Sequence, residues 1–341
     1  MKVLFVMNPI SGAVKKAGIP RLIEENLDKD KFEYKIRCTE YAGHATEIAR
    51  EAADDGIDVV AAVGGDGTIN EVGCGLVHTE TAMSIIPCGS GNGLARHLSI
   101  PINIKRSIEI LNDYQVHELD YCTINDHPFF CTCGMGFDAF ISQKFAMSNR
   151  RGPLKYLEEV LLEGLRYQPE VYTIEDESGQ HRHQAYLVTC ANASQYGNNA
   201  YIAPQASMSD GLLDIIIMEP FNFMDAAQVS FDLMNKTLGN SSKVKTFKAK
   251  QVIIHRRKEG PVHFDGDPMM MGQEIIVTAK EKGIRMVCNQ EAEDMTKLEP
   301  NVIQNAVSEL LNDFSDMNST IRHQGRNVMA FNKKMWRRLK R

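Results

Sequence analysis

The sequence lacks the features that mark several classes of protein. No apolar run approaches the roughly 18 to 20 residues that span a bilayer, and Leu212–Met218 is typical of the longest apolar stretches. The apolar start of the chain, Val3–Met7, is too short for a signal peptide, and no small-residue cleavage site follows it. With 43% apolar and 24% charged residues, the 341-residue chain has an ordinary globular composition, which excludes a disordered polypeptide and a membrane bundle.

The cysteines show no metal-binding or redox spacing. No C-x-x-C pair occurs, and most cysteines lie in apolar stretches, where a thiol behaves as a small hydrophobic group. A disulfide framework is not expected in a chain of this length without an export signal. We therefore expect a protein of the reducing cytoplasm. The eight residues are Cys38, Cys74, Cys88, Cys122, Cys131, Cys133, Cys190 and Cys288.

Charge is distributed unevenly along the chain. The formal charge of −6 argues against nucleic acid as a partner. Residues 322–341, which we call the basic tail, contain eight Arg or Lys and no Asp or Glu, so residues 1–321 carry −14. Phe331, Trp336 and Leu339 lie among the basic residues, and such a segment can lie on an anionic bilayer. The pattern predicts peripheral membrane association through transient contact of the basic tail, with a solvated, disordered end as the alternative.

The chain length suggests two domains, at about 150 residues per domain. Over the first 115 residues, short apolar strands alternate with amphipathic helices, which is typical of a parallel sheet covered by helices. The sequence therefore predicts an N-terminal parallel α/β domain over residues 1–115. Strands are predicted at 2–7, 32–38, 58–63 and 82–86, and helices at 19–27, 44–55 and 68–77.

From residue 116 onwards, strand-like segments follow one another, separated by turn signals such as Asn125-Asp126 and Ser178-Gly179. This pattern predicts a C-terminal antiparallel β-sandwich or barrel over residues 116–274. A partly helical tail is expected over residues 291–341. The strands are predicted at 116–124, 129–133, 171–175, 184–190, 212–218, 250–255 and 273–279, and two helices at 154–166 and 222–238.

Two glycine-rich turns follow neighbouring buried strands. Gly64–Gly67 ends one strand and opens a helix, and Pro87–Gly93 follows the next strand. In an open α/β sheet, ligands bind at the carboxyl ends of strands, and glycine turns let backbone amides approach phosphate oxygens. The spacing is neither that of a Walker A loop nor that of a dinucleotide fingerprint. The turns predict a double phosphate cradle large enough for a triphosphate; a purely structural turn is the alternative.

Seven motifs stand in one order along the chain. They are N-P-x-S-G (Asn8–Gly12), T-E-x-x-G-H-A (Thr39–Ala45), G-G-D-G-T-I-N-E (Gly64–Glu71), P-C-G-S-G-N-G-L-A-R (Pro87–Arg96), G-M-G-F-D-A (Gly134–Ala139), D-G-L-L-D (Asp210–Asp214) and F-D-G-D-P (Phe264–Pro268). This set resembles the diacylglycerol kinase catalytic-domain family, which includes bacterial lipid kinases, sphingosine kinases and ceramide kinases. The resemblance covers roughly residues 1–290.

The resemblance implies an ATP- and Mg²⁺-dependent lipid kinase. Its NAD kinase-like α/β domain would bind nucleotide, the sandwich would bind lipid, and a segment at about 275–290 would return to the first domain. Asp267 stands where the family has glutamate and would face the phosphates from the second domain, while Asp210 and the backbone near Leu212 match a structural metal site. The residues implied to hold ATP and Mg²⁺ are Asn8, Ser11, Thr39, Gly65, Asp66, Gly67, Thr68, Gly89 and Ser90.

Phosphoryl transfer requires positioning, a metal ion and charge neutralisation more than covalent help from the protein. We expect Asp66 to act as general base on the lipid hydroxyl, with Asp265 as the second choice. Three further residues, Arg150, Arg151 and Lys155, are expected to neutralise phosphate across the cleft, and a solvated surface run is the alternative.

Asp138 is a candidate for binding substrate. A sphingoid amine requires a carboxylate near the reacting hydroxyl, and the position where sphingosine kinases supply one is Ser142 here. Asp138 lies one helical turn earlier and could replace that carboxylate, or it could cap the helix that begins there. The acyl acceptor therefore stays open between diacylglycerol, a sphingoid base and ceramide.

Two other functions are compatible with parts of the sequence. One is an NAD kinase or another small-molecule kinase with a G-G-D-G turn, which the P-C-G-S-G-N turn and the basic tail disfavour. The other is a non-catalytic, nucleotide-gated membrane-binding module, which the intact Asp66, Asp265 and Asp267 disfavour. A homodimer is left open.

Overall fold

The computed structural model describes residues 1–9, 18–140, 142, 167–221 and 223–289. The expected helix at 154–166 and the tail at 291–341 lie outside these residues. Within them, no helix combines the length and apolarity needed to cross a bilayer. The first half contains β1 (Lys2–Met7), α1 (Ile19–Asn26), β2 (Glu33–Cys38), α2 (His44–Asp54), β3 (Val59–Gly64), α3 (Asp66–Leu76), β4 (Ala82–Pro87), α4 (Gly93–His97) and α5 (Ile104–Asp113).

The second half is mainly β-structure, with helical residues also at 137–140 and 142 and a short 3₁₀ helix at Leu238–Asn240. Its elements are β5 (Val116–Ile124), β6 (His127–Phe129), β7 (Thr132–Gly136), β8 (Glu170–Asp176), β9 (Gly179–Ala185), β10 (Leu187–Ala191), β11 (Leu213–Met218), α6 (Phe223–Met234), β12 (Val244–Ala249), β13 (Gln251–Arg256), β14 (Gly260–Phe264), β15 (Asp267–Met271) and β16 (Glu274–Val287).

The α/β half has helices on both faces of a parallel sheet. Strands β2, β1, β3 and β4 pair side by side and all run in the same direction. Strands β3 and β4 are buried at every position, as expected for strands covered on both faces. One face packs against α2 and α3 and the other against α1 and α5. The predicted parallel α/β domain is therefore confirmed.

Strand β16 connects the two halves. Its first residues pair antiparallel with β13 in the β-rich half, and Met286 near its end pairs in parallel with Met83 of β4. The sheet consequently contains ten strands, along the order β2-β1-β3-β4-β16-β13-β8-β9, with β5 paired to β16 and β6 paired to β5.

A six-stranded sheet, ordered β12-β11-β10-β7-β14-β15, completes the β-rich half. All its neighbouring strands are antiparallel. A buried core lies between this sheet and strands β5, β8, β13 and β16 of the other one, and includes Phe129, Tyr172 and Ile254. This arrangement confirms the antiparallel β-sandwich.

Several strands differ from their prediction. The segment predicted as one strand at 184–190 is two strands in different sheets, β9 and β10, with the break at Tyr186. Three strands were not predicted, namely β12, β14 and β15. Strand β12 carries two lysines, Lys245 and Lys248, at the edge of its sheet, and β14 and β15 each contain a proline, so none of the three shows a plain apolar alternation.

Candidate active site

The structure brings four loops of the α/β half together at one edge of the sheet. They follow β1, β2, β3 and β4, which are neighbours in the order β2-β1-β3-β4. Backbone hydrogen bonds continue past the strand ends: Asn8 donates to Val63 over 3.4 Å, and buried Thr39 donates to Met7 over 2.9 Å. Asn8 and Thr39 therefore lie beside the G-G-D-G turn. Ser11, in the first loop, lies outside the described residues.

The two glycine-rich turns are in backbone contact. A Cβ atom built on Gly89 would lie 2.7 Å from the Cα of Gly65 and 2.8 Å from Asn92 Oδ1. These separations are too short for any side chain, so glycine is required by close approach. Ser90 is exposed beside this contact, whereas Thr68 is buried against Gly64. The turns thus form one continuous backbone surface.

Asp66 connects the two turns. It is the first residue of α3, and its carboxylate accepts hydrogen bonds from the backbone amides of Asn92 (2.9 Å) and Gly93 (2.7 Å). Burial raises the pKa of Asp66, against these two amides and the charge of Arg96, which lower it. Both carboxylate oxygens are therefore engaged, and Asp66 holds the second turn against the start of α3.

We expect Gly89→Ala to disrupt this double turn. The added methyl group would force Gly65 or Asn92 to move, at a cost of about 1 to 3 kcal/mol for overpacking. The variant should melt at a lower temperature and bind nucleotide at least about tenfold more weakly, as measured by thermal unfolding and calorimetry. Gly239→Ala is the matched control, because a Cβ at Gly239 meets nothing within 4 Å. Unchanged nucleotide affinity in Gly89→Ala would contradict the assignment of this surface.

Asp265 lies at a turn of the sandwich that faces these loops. Its carboxylate accepts four hydrogen bonds, from the amides of Phe130 (2.9 Å), Cys131 (2.8 Å) and Thr132 (3.1 Å) and from the side chain of Asn70 (2.9 Å). Burial raises the pKa of Asp265, and these four donors oppose that shift. The bonds also explain why the strand predicted at 129–133 is interrupted: Phe130 and Cys131 turn their amides towards Asp265. Because these contacts engage both of its oxygens, the geometry favours a structural role for Asp265 over the proton-accepting role expected for it.

Asp267 is the carboxylate that remains open. It begins β15, is exposed, and directs Oδ2 to within 3.7 Å of where a Cβ on Gly67 would lie. The described residues offer Asp267 no hydrogen-bond partner. Partial burial in the cleft raises the pKa of Asp267, and the negative charges of Asp265, Glu71 and Asp66 raise it further. A carboxylate of this kind can accept a proton or bind a cation.

Two supporting residues were not assigned roles from the sequence. Glu71, the last residue of the G-G-D-G-T-I-N-E motif, accepts hydrogen bonds from the amides of Gly43 (2.9 Å) and Ala45 (3.1 Å) and so holds the second loop against α3. Asn92 closes its own turn with two hydrogen bonds to the backbone of Gly89. Their presence within motifs was visible in the sequence, but their partners lie in other loops.

Asp138 belongs to a buried network within the sandwich. Its Oδ2 atom accepts hydrogen bonds from Thr189 (2.9 Å) and Tyr196 (3.1 Å) and lies 3.1 Å from His263 Nε2, while Oδ1 accepts the amide of Ala139. The carboxylate is thus surrounded by groups of the chain itself. This geometry favours a structural role over the predicted contact with a lipid amine.

The remaining predicted residues fall into two groups. Asp210 and Leu212 lie together in the loop before β11, away from the glycine turns, where Lys248 Nζ is 2.6 Å from Asp210 Oδ2. Arg150, Arg151 and Lys155 lie outside the described residues. The described part of the cleft is therefore built from the ends of the four parallel strands and the two glycine-rich turns on one side and from the Asp265–Asp267 turn on the other.

Together, the fold and this cleft define a protein in which a parallel α/β half carries a double glycine cradle opposite a turn of a β-sandwich. The sequence matches the "Diacylglycerol kinase catalytic domain" over residues 2–124 and the "YegS C-terminal NAD kinase beta sandwich-like domain" over residues 131–279. The chain therefore belongs to the diacylglycerol kinase catalytic-domain family of lipid kinases.

Relatives and solved structures agree with this membership. The chain is 26% identical to a diacylglycerol kinase of Bacillus subtilis over 77% of this chain and 88% of the relative. It is 28% identical to a "probable lipid kinase YegS-like" of Chromohalobacter salexigens over 68% of this chain and 77% of the relative. The crystal structure of a diacylglycerol kinase from Bacillus anthracis superposes with a TM-score of 0.66 at 22% identity, covering 85% of this chain and 98% of that one, and shares the fold.

Proposed function

We propose that the protein is an ATP- and Mg²⁺-dependent lipid kinase that transfers the γ-phosphoryl group to a hydroxyl of a lipid such as diacylglycerol or a sphingoid base. The observation that carries this proposal is the position of Asp267: an open carboxylate placed opposite the Gly67 backbone of the glycine cradle. Nucleotide would bind to residues 1–115 with the returning segment at about 275–290, and lipid to residues 116–274.

The glycine cradle would bind the nucleotide phosphates. The first amides of α3 have no acceptor within the helix and carry the positive end of its dipole, so they favour anionic oxygens. The contact between Gly65 and Gly89 leaves no side chain between the two turns. Asp66 contributes by fixing the relative position of the turns, and Asn8, Thr39 and Ser90 border the same surface.

Asp267 is the best-placed general base. A base must have a free lone pair within reach of the proton it accepts. Asp66 and Asp265 accept two and four hydrogen bonds from the chain, whereas Asp267 has none within the described part of the protein. Its raised pKa brings proton affinity closer to neutral pH, which favours acceptance of the lipid hydroxyl proton.

The residues present also fit a Mg²⁺ ion that is bound largely through the substrate. Mg²⁺ prefers oxygen ligands and is usually held by one or two carboxylates plus nucleotide phosphates. No cluster of three or more metal-binding side chains occurs among the described residues, so the protein alone offers no closed metal cage there. Asp267 would be the protein ligand. When bound, the ion would neutralise charge on the phosphates.

We further propose that the enzyme works at the cytoplasmic face of a membrane. A water-insoluble acceptor requires access to a lipid surface, and the basic tail has the composition of a segment attracted to anionic lipid. Its eight positive charges contrast with the −14 of residues 1–321. The main body would thus stay in solution between contacts, with no role for nucleic acid; a homodimer is compatible with this scheme.

A phosphotransfer assay tests the proposal. Purified protein is incubated with radiolabelled ATP and Mg²⁺ in mixed micelles that contain diacylglycerol, sphinganine or ceramide, and in parallel with NAD. A labelled lipid is the expected product. Labelled product from NAD alone would contradict the lipid kinase proposal and indicate an NAD kinase. Binding of ATP without transfer to any acceptor would indicate the non-catalytic, nucleotide-gated membrane-binding module.

A further inference from the structure

The loop before β11 contains a fixed positive charge where a structural metal ion is implied by the resemblance. Asp210 and Leu212 match that metal site. In the structure, Lys248 extends from β12, the strand that pairs with β11, into the same position. Its Nζ atom lies 2.6 Å from Asp210 Oδ2, 3.1 Å from Asp214 Oδ2 and 3.3 Å from the carbonyl oxygen of Gln205.

These three contacts use the oxygens that a cation would need. A lysine ammonium donates hydrogen bonds and accepts none. Lys248 donates to Asp210 and to the Gln205 carbonyl, and it forms an ion pair with Asp214 at the start of β11. Both carboxylate oxygens of Asp210 are engaged, because Oδ1 accepts the amide of Leu212 over 3.1 Å and Oδ2 lies against Lys248. A divalent ion bound to Asp210 and the backbone of Leu212 would meet the ammonium charge at close range, and the two positive charges would repel. The residues present therefore do not fit a divalent metal at this point.

The charged side chains of Lys248, Asp210 and Asp214 are shielded from water to different degrees. The side chains of Lys248 and Asp210 are 34% and 31% exposed, and that of Asp214 is 12% exposed. Burial raises the pKa of Asp214, and Lys248 opposes that shift. Burial also lowers the pKa of Lys248, but Asp210 and Asp214 together outweigh it and the net shift is upward. Each charge thus stabilises the ionised form of its partner.

The loop is attached to the centre of the molecule by a second buried acid. Asp120, which is 2% exposed, accepts hydrogen bonds from the amides of Gly211 and Lys282, each over 2.8 Å. Gly211 is the neighbour of Asp210 in the chain. The turn at Asp210–Gly211 is therefore held by two contacts, that of Lys248 with Asp210 and that of Asp120 with the amide of Gly211. A cation at Asp210 therefore stabilises the start of β11.

We propose that Lys248 is a built-in replacement for a structural metal ion, so that folding of this kinase does not depend on a bound divalent cation at Asp210–Asp214. The proposal concerns stability and stands apart from the proposed phosphotransfer. Mg²⁺ delivered with nucleotide at Asp267 is a separate requirement.

The unmodified protein provides the first test. Protein that has been passed over a desalting column with EDTA should contain less than about 0.1 equivalent of Mg²⁺, Ca²⁺ or Mn²⁺ by elemental analysis. Its melting temperature should be the same with EDTA and with millimolar amounts of each ion, in the absence of nucleotide. Retention of one equivalent of metal, or a melting temperature that falls with EDTA and recovers with metal, would overturn the proposal whether or not the protein has kinase activity.

Lys248→Met provides the second test. The variant keeps an apolar stem of similar length but leaves Asp210 and Asp214 without a counter-charge, so its melting temperature should fall by roughly 5 °C. Millimolar Ca²⁺, Mg²⁺ or Mn²⁺ should restore most of that loss, because the freed carboxylates and carbonyl are ligands for such ions. Lys250→Met is the matched control. Lys250 forms an ion pair with Glu281 at the surface, where both side chains are about half exposed, so we expect neither a lower melting temperature nor a response to metal.

The variant results also decide between explanations. If Lys248→Met is destabilised but no divalent ion restores it, the site does not have the cation-binding geometry and the proposal fails. If it is as stable as the unmodified protein without metal, Lys248 does not serve as the counter-charge, and the proposal also fails. Should Lys248→Met not fold at all, the metal content and EDTA response of the unmodified protein still decide the question.

Discussion

Asp267→Asn is expected to lower turnover by about three orders of magnitude and to leave the melting temperature unchanged. A positioned general base contributes roughly 10² to 10⁴ in rate, and this carboxylate would also be the protein ligand of Mg²⁺. No described residue donates a hydrogen bond to the Asp267 side chain, so removing its charge breaks no contact within the described part of the fold. Initial rates with the acceptor found in the micelle assay, together with thermal unfolding, measure both quantities.

Two variants frame this result. Asp267→Glu restores the glutamate of the family and adds one methylene of reach, so it should retain substantial activity. Asp126→Asn changes an exposed aspartate in the turn between β5 and β6 and should leave turnover unchanged. Full activity in Asp267→Asn would remove this residue from the mechanism.

The pH dependence follows from the same surroundings. Partial burial and the charges of Asp265, Glu71 and Asp66 raise the pKa of Asp267 in the folded protein. Because the base must be ionised, kcat/KM, which reports the free enzyme before Mg²⁺ and nucleotide bind, should fall as pH decreases through this raised pKa, at a higher pH than an ordinary aspartate would give. A profile that stays flat until the ordinary aspartate range near pH 3.9 would contradict the role of Asp267.

Asp265→Asn is expected to destabilise the protein strongly, although the substitution lies only two residues from Asp267. An asparagine can present only one oxygen, and its NH₂ group would face backbone amides that are themselves donors. At least one of the amides of Phe130, Cys131 and Thr132 would lose its partner, at about 1 to 3 kcal/mol each, so we expect a loss of about 3 kcal/mol in the free energy of unfolding. Urea denaturation followed by circular dichroism measures this loss.

Comparing the variants of the two aspartates distinguishes a residue that stabilises the fold from a residue that takes part in the reaction. Asp265→Asn should lose stability first and activity as a consequence, whereas Asp267→Asn should lose activity alone. If Asp265→Asn were as stable as the unmodified protein and merely inactive, then Asp265 would take a direct part in the reaction and the structural assignment would be wrong.

The α/β half could be predicted closely because its signals are local. Buried strands such as Val59–Gly64 end in glycine turns, and the helices that follow carry their own apolar stripes. Parallel packing then places the strand-end loops side by side. The position of Gly64–Gly67 opposite Pro87–Gly93 could therefore be inferred from order alone.

The roles of the acids could not be predicted, because they depend on contacts between distant parts of the chain. Asp66, Asp265 and Asp267 are equivalent as letters in a sequence. The amides that occupy Asp265 are 133 to 135 positions away, and the amides that occupy Asp66 are 26 and 27 positions away. Lys248 likewise stands in a strand that was not predicted, and its contact with Asp210 spans 38 positions.

The continuity of β16 also has a consequence for how the protein can be divided. Since its end supplies the neighbour of β4, a fragment that stops after β5 would leave β4 as a bare sheet edge with unpaired backbone groups. Such an edge invites aggregation. The described residues belong to one compact unit, and the sheet of the α/β half is completed only by residues made near the end of that unit. During synthesis this sheet can therefore be completed only after the last strand has emerged from the ribosome.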